Sequence, residues 1–382
     1  MKVLVLSVTA GYGHNIAAQA IMEQFEKKGI ECSMVDTLKY ASPVAATALD
    51  KGYLVMGKTM PKANNTIYKS FMKSLKEEDR SDQAKIYGRL FGAKLKELID
   101  EYKPDAILCT HVIASMILTY LKRKGRLDPS IYLVGINTDY DLHPFWEDTE
   151  MDNIVIADKK MKYKLLKRGF SWDNILPIGI PISEKYSIHN DKQEAKKLLG
   201  LNETPLVVVM GGSMGFGHVI KRLRQLDACP VDFQIVTICG NNEALEKKVR
   251  NISTKKKVHV YGFVNNVHEF MDAADCFITK PGGLTSSECL AKNVPMIISD
   301  CIPGVEYVNR AFLVNQGAAV VTSEHFPLDE AVYDILTDEG FRENMKHIQH
   351  IIAKPNAAKV LCEITEQEVQ KRKNIEDPCL EE

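Results

Sequence analysis

Short, nearly continuous apolar runs, each leading into a helical pattern, recur along this chain of 382 residues and limit the folds open to it. In the first half they occupy residues 3–8, 106–109, 132–136 and 153–157; in the second, 206–210, 233–238, 259–262, 276–279 and 295–298. Strands without an exposed polar face belong in parallel sheets covered by helices on both sides. The rhythm occurs twice, with a break after Gly179-Ile180-Pro181-Ile182. A helical stretch from Glu194 to Leu199, stopped by Gly200, and a fresh strand at Leu206 then restart it. The expectation is an α/β protein of two doubly wound domains, residues 1–180 and 181–354, a division that suits this length. Pro355 fits the first turn of a closing helix over 355–370, and the charged tail 371–382 reads as frayed.

Composition removes several function classes. With 45% hydrophobic and 26% charged residues the chain is globular, and 49 basic against 50 acidic side chains leave no general attraction to nucleic acid. The nine cysteines form no C-x-x-C pair, so neither a zinc site nor a disulfide framework is indicated, and free thiols fit a reducing cytoplasm. The opening run Met1–Ser7 meets Gly11 and Gly13 at once and reads as a buried strand, not a signal peptide. No stretch approaches the roughly 20 apolar residues that span a bilayer. One segment, residues 51–76, carries six lysines and no acidic residue, with Tyr53, Lys58, Lys62, Tyr68, Lys69 and Phe71 among its basic and aromatic positions. That mixture suits an anionic lipid surface, at about 1 kcal/mol per lysine; an amphipathic helix with a solvated lysine face has the same pattern.

Three loops carry chemistry. Thr9-Ala10-Gly11-Tyr12-Gly13-His14 follows the first strand and opens a helix. Its glycines let a ligand approach the backbone, and the helix start supplies free amide donors. Ile16 stands where a dinucleotide fingerprint needs its third glycine, so NAD binding is not supported. The positive helix end disfavours imidazolium, which suits His14 to accept a proton; capping or packing is the plainer role for such a histidine.

The second loop, Lys280-Pro281-Gly282-Gly283-Leu284-Thr285-Ser286-Ser287-Glu288, follows the strand at 276–279. Its Gly-Gly turn can hold a diphosphate, and the Glu288 carboxylate can accept two ribose hydroxyls. Thr285 and Glu288 also have capping-box spacing, which would make the glutamate a helix cap. Pro303-Gly304-Val305-Glu306-Tyr307-Val308-Asn309 comes one strand later and would meet the same ligand. The third loop, Gly211 to Gly217 with Gly212 and Ser213, forms a second anion nest but lacks the Gly-Lys-Ser/Thr ending of a P-loop.

In this order these residues resemble the monogalactosyl- and glucosyl-diacylglycerol synthases, a glycosyltransferase family 28-like lipid branch of the GT-B glycosyltransferases. The peptidoglycan GlcNAc transferase is a more distant relative. The resemblance runs from Val3 to about Ile364. The loop ending in His14 is similar to the family's N-terminal glycine-rich loop, and Thr138-Asp139 with His143 and Trp146 to its T-D…H…W element near the acceptor. Lys280 to Glu288 is similar to the donor motif, Gly262-Phe263-Val264-Asn265 sits where the family holds uracil, and Pro355-Asn356-Ala357-Ala358 resembles the start of its closing helix. Where the family usually has Gln after Pro-Gly, this chain has Val305, with Glu306 and Asn309 kept.

The resemblance implies two Rossmann-like domains facing a central cleft, with the C-terminal helix crossing back to the N-terminal domain. It also implies an inverting transfer of glucose or galactose from a UDP-sugar to diacylglycerol or a glycosyl-diacylglycerol, at the cytoplasmic face of a membrane and without a metal cofactor. His14 is then the base and Asp139 its neighbour on the acceptor side, while Gly13 and the residues from Gly212 to Asn309 named above hold the donor. Two rivals share the architecture: a UDP-sugar epimerase, and a non-catalytic nucleotide-sugar sensor.

Overall fold

The computed structural model describes residues 1–9, 13–47, 81–212, 215, 217–301 and 305–376. They fall into two compact units. The first draws on Met1–Glu184 and Asn356–Glu382, the second on Lys185–Pro355, so the division comes after Glu184, where the sequence reading placed it after residue 180.

The first unit contains a parallel six-stranded sheet in the order β2 (Glu31–Asp36), β1 (Lys2–Ser7), β3 (Ala106–Cys109), β4 (Tyr132–Ile136), β5 (Asn153–Val155) and β6 (Ile175–Leu176). Val3 pairs with Cys32 on one side and Ala106 on the other. Val3, Val5, Leu108 and Val134 bury their side chains against Ile21 and Phe25 of helix Gly13–Lys27, each burial stabilising by about 1.5–3 kcal/mol. Helix Ala357–Glu376 adds Leu361, Cys362 and Val369 to this core, so the last helix of the chain belongs to the first unit.

That helix runs six residues beyond the expected end at 370, into the stretch read as frayed. Charge holds it there. Arg372 lies 5.0 Å from the Tyr132 ring and 3.1 Å from Asp152, and Lys373 pairs with Asp105 at 2.7 Å.

The second unit repeats the design: β12 (Val320–Val321), β11 (Met296–Ile298), β10 (Cys276–Thr279), β7 (Leu206–Met210), β8 (Gln234–Ile238) and β9 (Val258–Tyr261), all parallel. Counted from β7, this is the doubly wound order in which chain direction across the sheet reverses between the first and fourth strands, here β7 and β10. In the first unit β1 and β3 flank the corresponding reversal. Loops at the carboxyl ends of strands beside such a reversal splay apart and leave room for a ligand. The His14 loop follows β1; the Gly211–Gly217 and Lys280–Glu288 loops follow β7 and β10.

Candidate functional site

The His14 loop is fixed at both ends. Ser7 Oγ, closing β1, donates to Asn15 Oδ1 at 2.6 Å, Asn15 Nδ2 donates to Thr9 Oγ1 at 3.0 Å, and the Thr9 amide donates to Asp36 at the end of β2 at 3.0 Å. Gly13 is the first residue of the helix that follows. His14 Nδ1 lies 2.7 Å from the carbonyl oxygen of Thr110, just past β3, and 3.2 Å from Thr138 Oγ1, just past β4. A carbonyl oxygen can only accept, so the proton sits on Nδ1 and Nε2 keeps its lone pair. Burial lowers the His14 pKa below the usual imidazole value, against the opposing pull of the Thr110 carbonyl. A neutral imidazole with a free Nε2 is the form a general base requires.

Sequence reasoning missed His111. Its ring meets that of His14 edge to face, centroids 4.6 Å apart. Its Nδ1 accepts from the Ile113 amide at 3.2 Å, capping helix Val112–Arg123 and leaving its proton on Nε2. His143 is held in the same manner by the Phe145 amide at 3.2 Å. Burial lowers the pKa of both: His111 falls well below the ordinary value, helped by the neighbouring His14 and His143, and His143 falls to about 4, helped by Arg168. The signal for His111 was a histidine two residues past a core strand, and its local role as a cap hid it.

The T-D…H…W element forms the rest of this wall. Thr138 reaches His14, Asn137 Nδ2 donates to the Asp139 carbonyl at 2.5 Å, and Asp139 is half-buried beside it. Asp141 is paired with Lys164 and lies 3.7 Å from Arg168, so its carboxylate serves two cations. Trp146 is 3% exposed and packs under the element on Gly135 of β4.

The second unit gathers the other loops. Helix Gly283–Lys292 starts directly after β10, with Gly282 as its N-cap and no side-chain cap. The capping-box alternative for Thr285 and Glu288 is therefore not adopted. Gly283, Leu284 and Ser286 are buried, Thr285 is half-buried, and the Ser286 hydroxyl has no hydrogen-bond partner among the described residues. Glu288 is 6% exposed and hydrogen-bonded to the Tyr186 hydroxyl; burial raises its pKa to about 7.

Lys280 pairs with Glu306 on helix Val305–Gln316, where Asn309 is fully buried. A methyl group on Gly212 would stand 2.9 Å from Lys280 Cε, so the glycine loop and the lysine share one small space. A cation, a glycine turn and a helix start together form an anion site. Phe263 is 61% exposed on the loop after β9, with Val264 half-buried beside it. Ser213, Gly304 and the basic-aromatic positions Tyr53, Lys58, Lys62, Tyr68, Lys69 and Phe71 lie outside the described residues. Among the described residues, no helix is long and apolar enough to cross a membrane.

Comparison with known proteins agrees with this layout. The monogalactosyldiacylglycerol (MGDG) synthase family matches residues 14–182, and the glycosyltransferase family 28 C-terminal domain matches residues 206–361. A processive diacylglycerol beta-glucosyltransferase of Bacillus cereus strain AH187 is 30% identical over 94% of this chain and 91% of its own. Among solved structures, Acinetobacter baumannii MurG superposes with a TM-score of 0.60 at 14% identity, covering 96% of this chain and all of its own. UDP-GlcNAc 2-epimerase from Neisseria meningitidis superposes with a TM-score of 0.59, also at 14% identity and with the same coverage. These two likenesses show the GT-B fold and nothing finer. The sequence likeness extends along almost the whole of both chains, and by it this chain belongs to the monogalactosyl- and glucosyl-diacylglycerol synthase family, glycosyltransferases with a family 28-type C-terminal domain.

Proposed function

We propose that the chain transfers a hexose, glucose or galactose, from a UDP-sugar to the hydroxyl of diacylglycerol or a glycosyl-diacylglycerol, in glycolipid synthesis at a membrane surface. The observation that carries this reading is the 2.7 Å contact of His14 Nδ1 with the Thr110 carbonyl, which leaves the Nε2 lone pair to act as a base in the unit that matches the monogalactosyldiacylglycerol synthase family. Nε2 takes the proton of the lipid hydroxyl as its oxygen forms a bond to the anomeric carbon. The bond from that carbon to the diphosphate breaks on the opposite face, and UDP leaves with the electron pair. The anomeric configuration inverts in this single step.

The donor is assigned to the second unit. Uracil lies by Phe263 and Val264, the ribose hydroxyls donate to Glu288, and the hexose meets Glu306 and Asn309. The diphosphate takes Lys280 and the amides of Gly212, Gly282 and Gly283. Positive charge from the lysine and the helix start stabilises departing UDP, so the reading calls on no metal. Asp139 and His143 shape the acceptor side. The Lys51–Lys76 segment brings the enzyme to anionic lipid at the cytoplasmic face. The Bacillus cereus relative is named as processive, and this reading extends a second transfer onto the glycolipid product to the present chain.

A UDP-sugar epimerase is the second reading, favoured only by the shared architecture of the Neisseria enzyme. Incubation of the protein with radiolabelled UDP-glucose, UDP-galactose and UDP-GlcNAc, each with and without diacylglycerol vesicles, separates the two. Labelled glycolipid is the expected product. An epimerised sugar nucleotide formed without lipid, and no glycolipid with any donor, would overturn the proposal.

A further inference from the structure

The short 3₁₀ turn Glu184–Tyr186 leads into the second unit, which starts at Lys185, and sends adjacent side chains to a loop and to a helix. Lys185 Nζ donates to the carbonyl of Asn265 at 2.9 Å, on the loop that carries Phe263 and Val264. The Tyr186 hydroxyl donates to the carboxylate of Glu288. Tyr186 and Glu288 are 5% and 6% exposed, so little water reaches the bond between them. The Tyr186 ring is wedged edge to face against His268 with centroids 6.0 Å apart, and Lys185 Nζ lies 5.6 Å from the centroid of the Tyr186 ring.

We infer that Tyr186 is a positioning residue of the nucleoside site: its hydroxyl holds the Glu288 carboxylate in the orientation that takes the ribose hydroxyls, while Lys185 ties the neighbouring loop to the same turn. The inference rests on the ribose role proposed for Glu288. A carboxylate has about four lone-pair positions on two oxygens, so one bond from Tyr186 leaves acceptors for both hydroxyls of a ribose. An unanchored glutamate would have to order its side chain on binding, and anchoring it beforehand removes that cost. Tyr186 also favours the ionised form of Glu288, against the larger effect of burial. The groups facing Glu288 are Tyr186 and Lys185, which favour the carboxylate, and Cys289, with His268 against the Tyr186 ring; burial opposes ionisation and pushes the acid up to about 7.

Calorimetric titration of UDP into the full chain, wild type against Tyr186→Phe and Glu288→Gln, tests this. Phenylalanine keeps the buried ring and removes only the donor. Loss of a bond to a charged group predicts UDP binding about 10-fold weaker in Tyr186→Phe. The pH below which binding fades should move upward, a shift that a purely structural ring would not produce. The turnover number at saturating donor should stay near wild type. In the Glu288→Gln background, adding Tyr186→Phe should change nothing further. If Tyr186→Phe melts far below wild type, Lys185→Met takes its place and should weaken UMP binding through the Asn265 loop. Unchanged UDP affinity in Glu288→Gln would remove the ribose role and this inference with it. A weakened Glu288→Gln beside an unaffected Tyr186→Phe would overturn this inference alone, as would unaffected UMP binding in Lys185→Met where that variant stands in.

Discussion

His14 donates from Nδ1 to a main-chain oxygen, that of Thr110, at 2.7 Å, so no side-chain substitution at position 110 deletes the acceptor that fixes its tautomer. The carbonyl is set by β3, whose residue Cys109 pairs with Leu6 of β1 and Gly135 of β4. The orientation of this imidazole is thus written into the register of three core strands.

Replacing His14 by Ala should lower turnover about 10²–10⁴-fold, the usual contribution of a general base. UDP binding, assigned to the other unit, should not change. Steady-state transfer assays and UDP titration measure both. A rate within a few-fold of wild type, with UDP-hexose and lipid both saturating, would strip His14 of its role.

The pH profile should carry two acid limbs. Glu288 is raised to about 7 by burial, so as pH falls through 7 it gains a proton and loses the charge proposed to accept the ribose hydroxyls; kcat/KM for the donor should fall there. His14 is lowered below its ordinary value, so it is already the free base at pH 7 and its own limb lies on the acid side of about 6.5. Profiles taken between about pH 5 and 9 should show the upper limb vanish in Glu288→Gln and the lower one persist. A flat wild-type profile across that range would contradict both assignments.

The parts of this architecture that were legible in the sequence are those where one local pattern has one physical solution. Val3, Leu108, Val134, Val208 and Ile278 sit in strands buried on both faces, and such strands announce themselves as unbroken apolar runs. The strands that escaped notice, β2, β6 and β12, lie at or beside sheet edges: Glu31–Asp36 begins and ends in charge and is only half-buried, while Ile175–Leu176 and Val320–Val321 are two residues each. At the site, His14 could be found because a glycine loop led into it. His111 could not, because its approach to His14 depends on β1 lying beside β3, an order that no local pattern encodes. Tyr186 and Glu288 meet for the same reason, as do Arg372 and Asp152.

Lys292 and Asp272 make a stability test in the second unit. The ammonium lies 2.8 and 2.7 Å from the two carboxylate oxygens, with both side chains almost wholly out of solvent, and Asn190 donates to the same carboxylate at 3.0 Å. Lys292→Met leaves Asp272 buried without its cation and should cost about 3–5 kcal/mol, whereas Lys292→Met with Asp272→Leu should recover most of the loss. Denaturant melts of the three proteins decide it; a single variant as stable as wild type would mean that the pair is solvated.

Gly135 provides a test beneath the segment proposed to face the acceptor. A methyl group there would stand 2.3 Å from Cζ3 of the Trp146 indole, which is itself 3% exposed and cannot swing outward freely. Gly135→Ala should destabilise by about 1–3 kcal/mol and displace the segment carrying Asp139 and His143. Thermal melts and the KM for lipid acceptor should both change, while UDP binding stays. An unaltered acceptor KM would leave Trp146 with a packing role only.

Gly212 is the sharpest probe of how Lys280 is placed. Its φ is +76°, in the left-handed region where a side chain is strained, and the added methyl would meet Lys280 Cε at 2.9 Å. The lysine end is flexible and would yield, turning further toward Glu306, with which it already pairs, and away from the loop. Gly212→Ala should therefore act mainly on the diphosphate: about a 10-fold or greater rise in KM for the UDP-sugar, with a smaller change in uridine binding, because the groups proposed for the nucleoside are elsewhere in the unit. Lys280→Met should produce the same pattern by removing the charge outright, and combining the two should add little, since both act through one ammonium. Full additivity of the two would show instead that the glycine loop and the lysine hold the donor independently, each through its own contact.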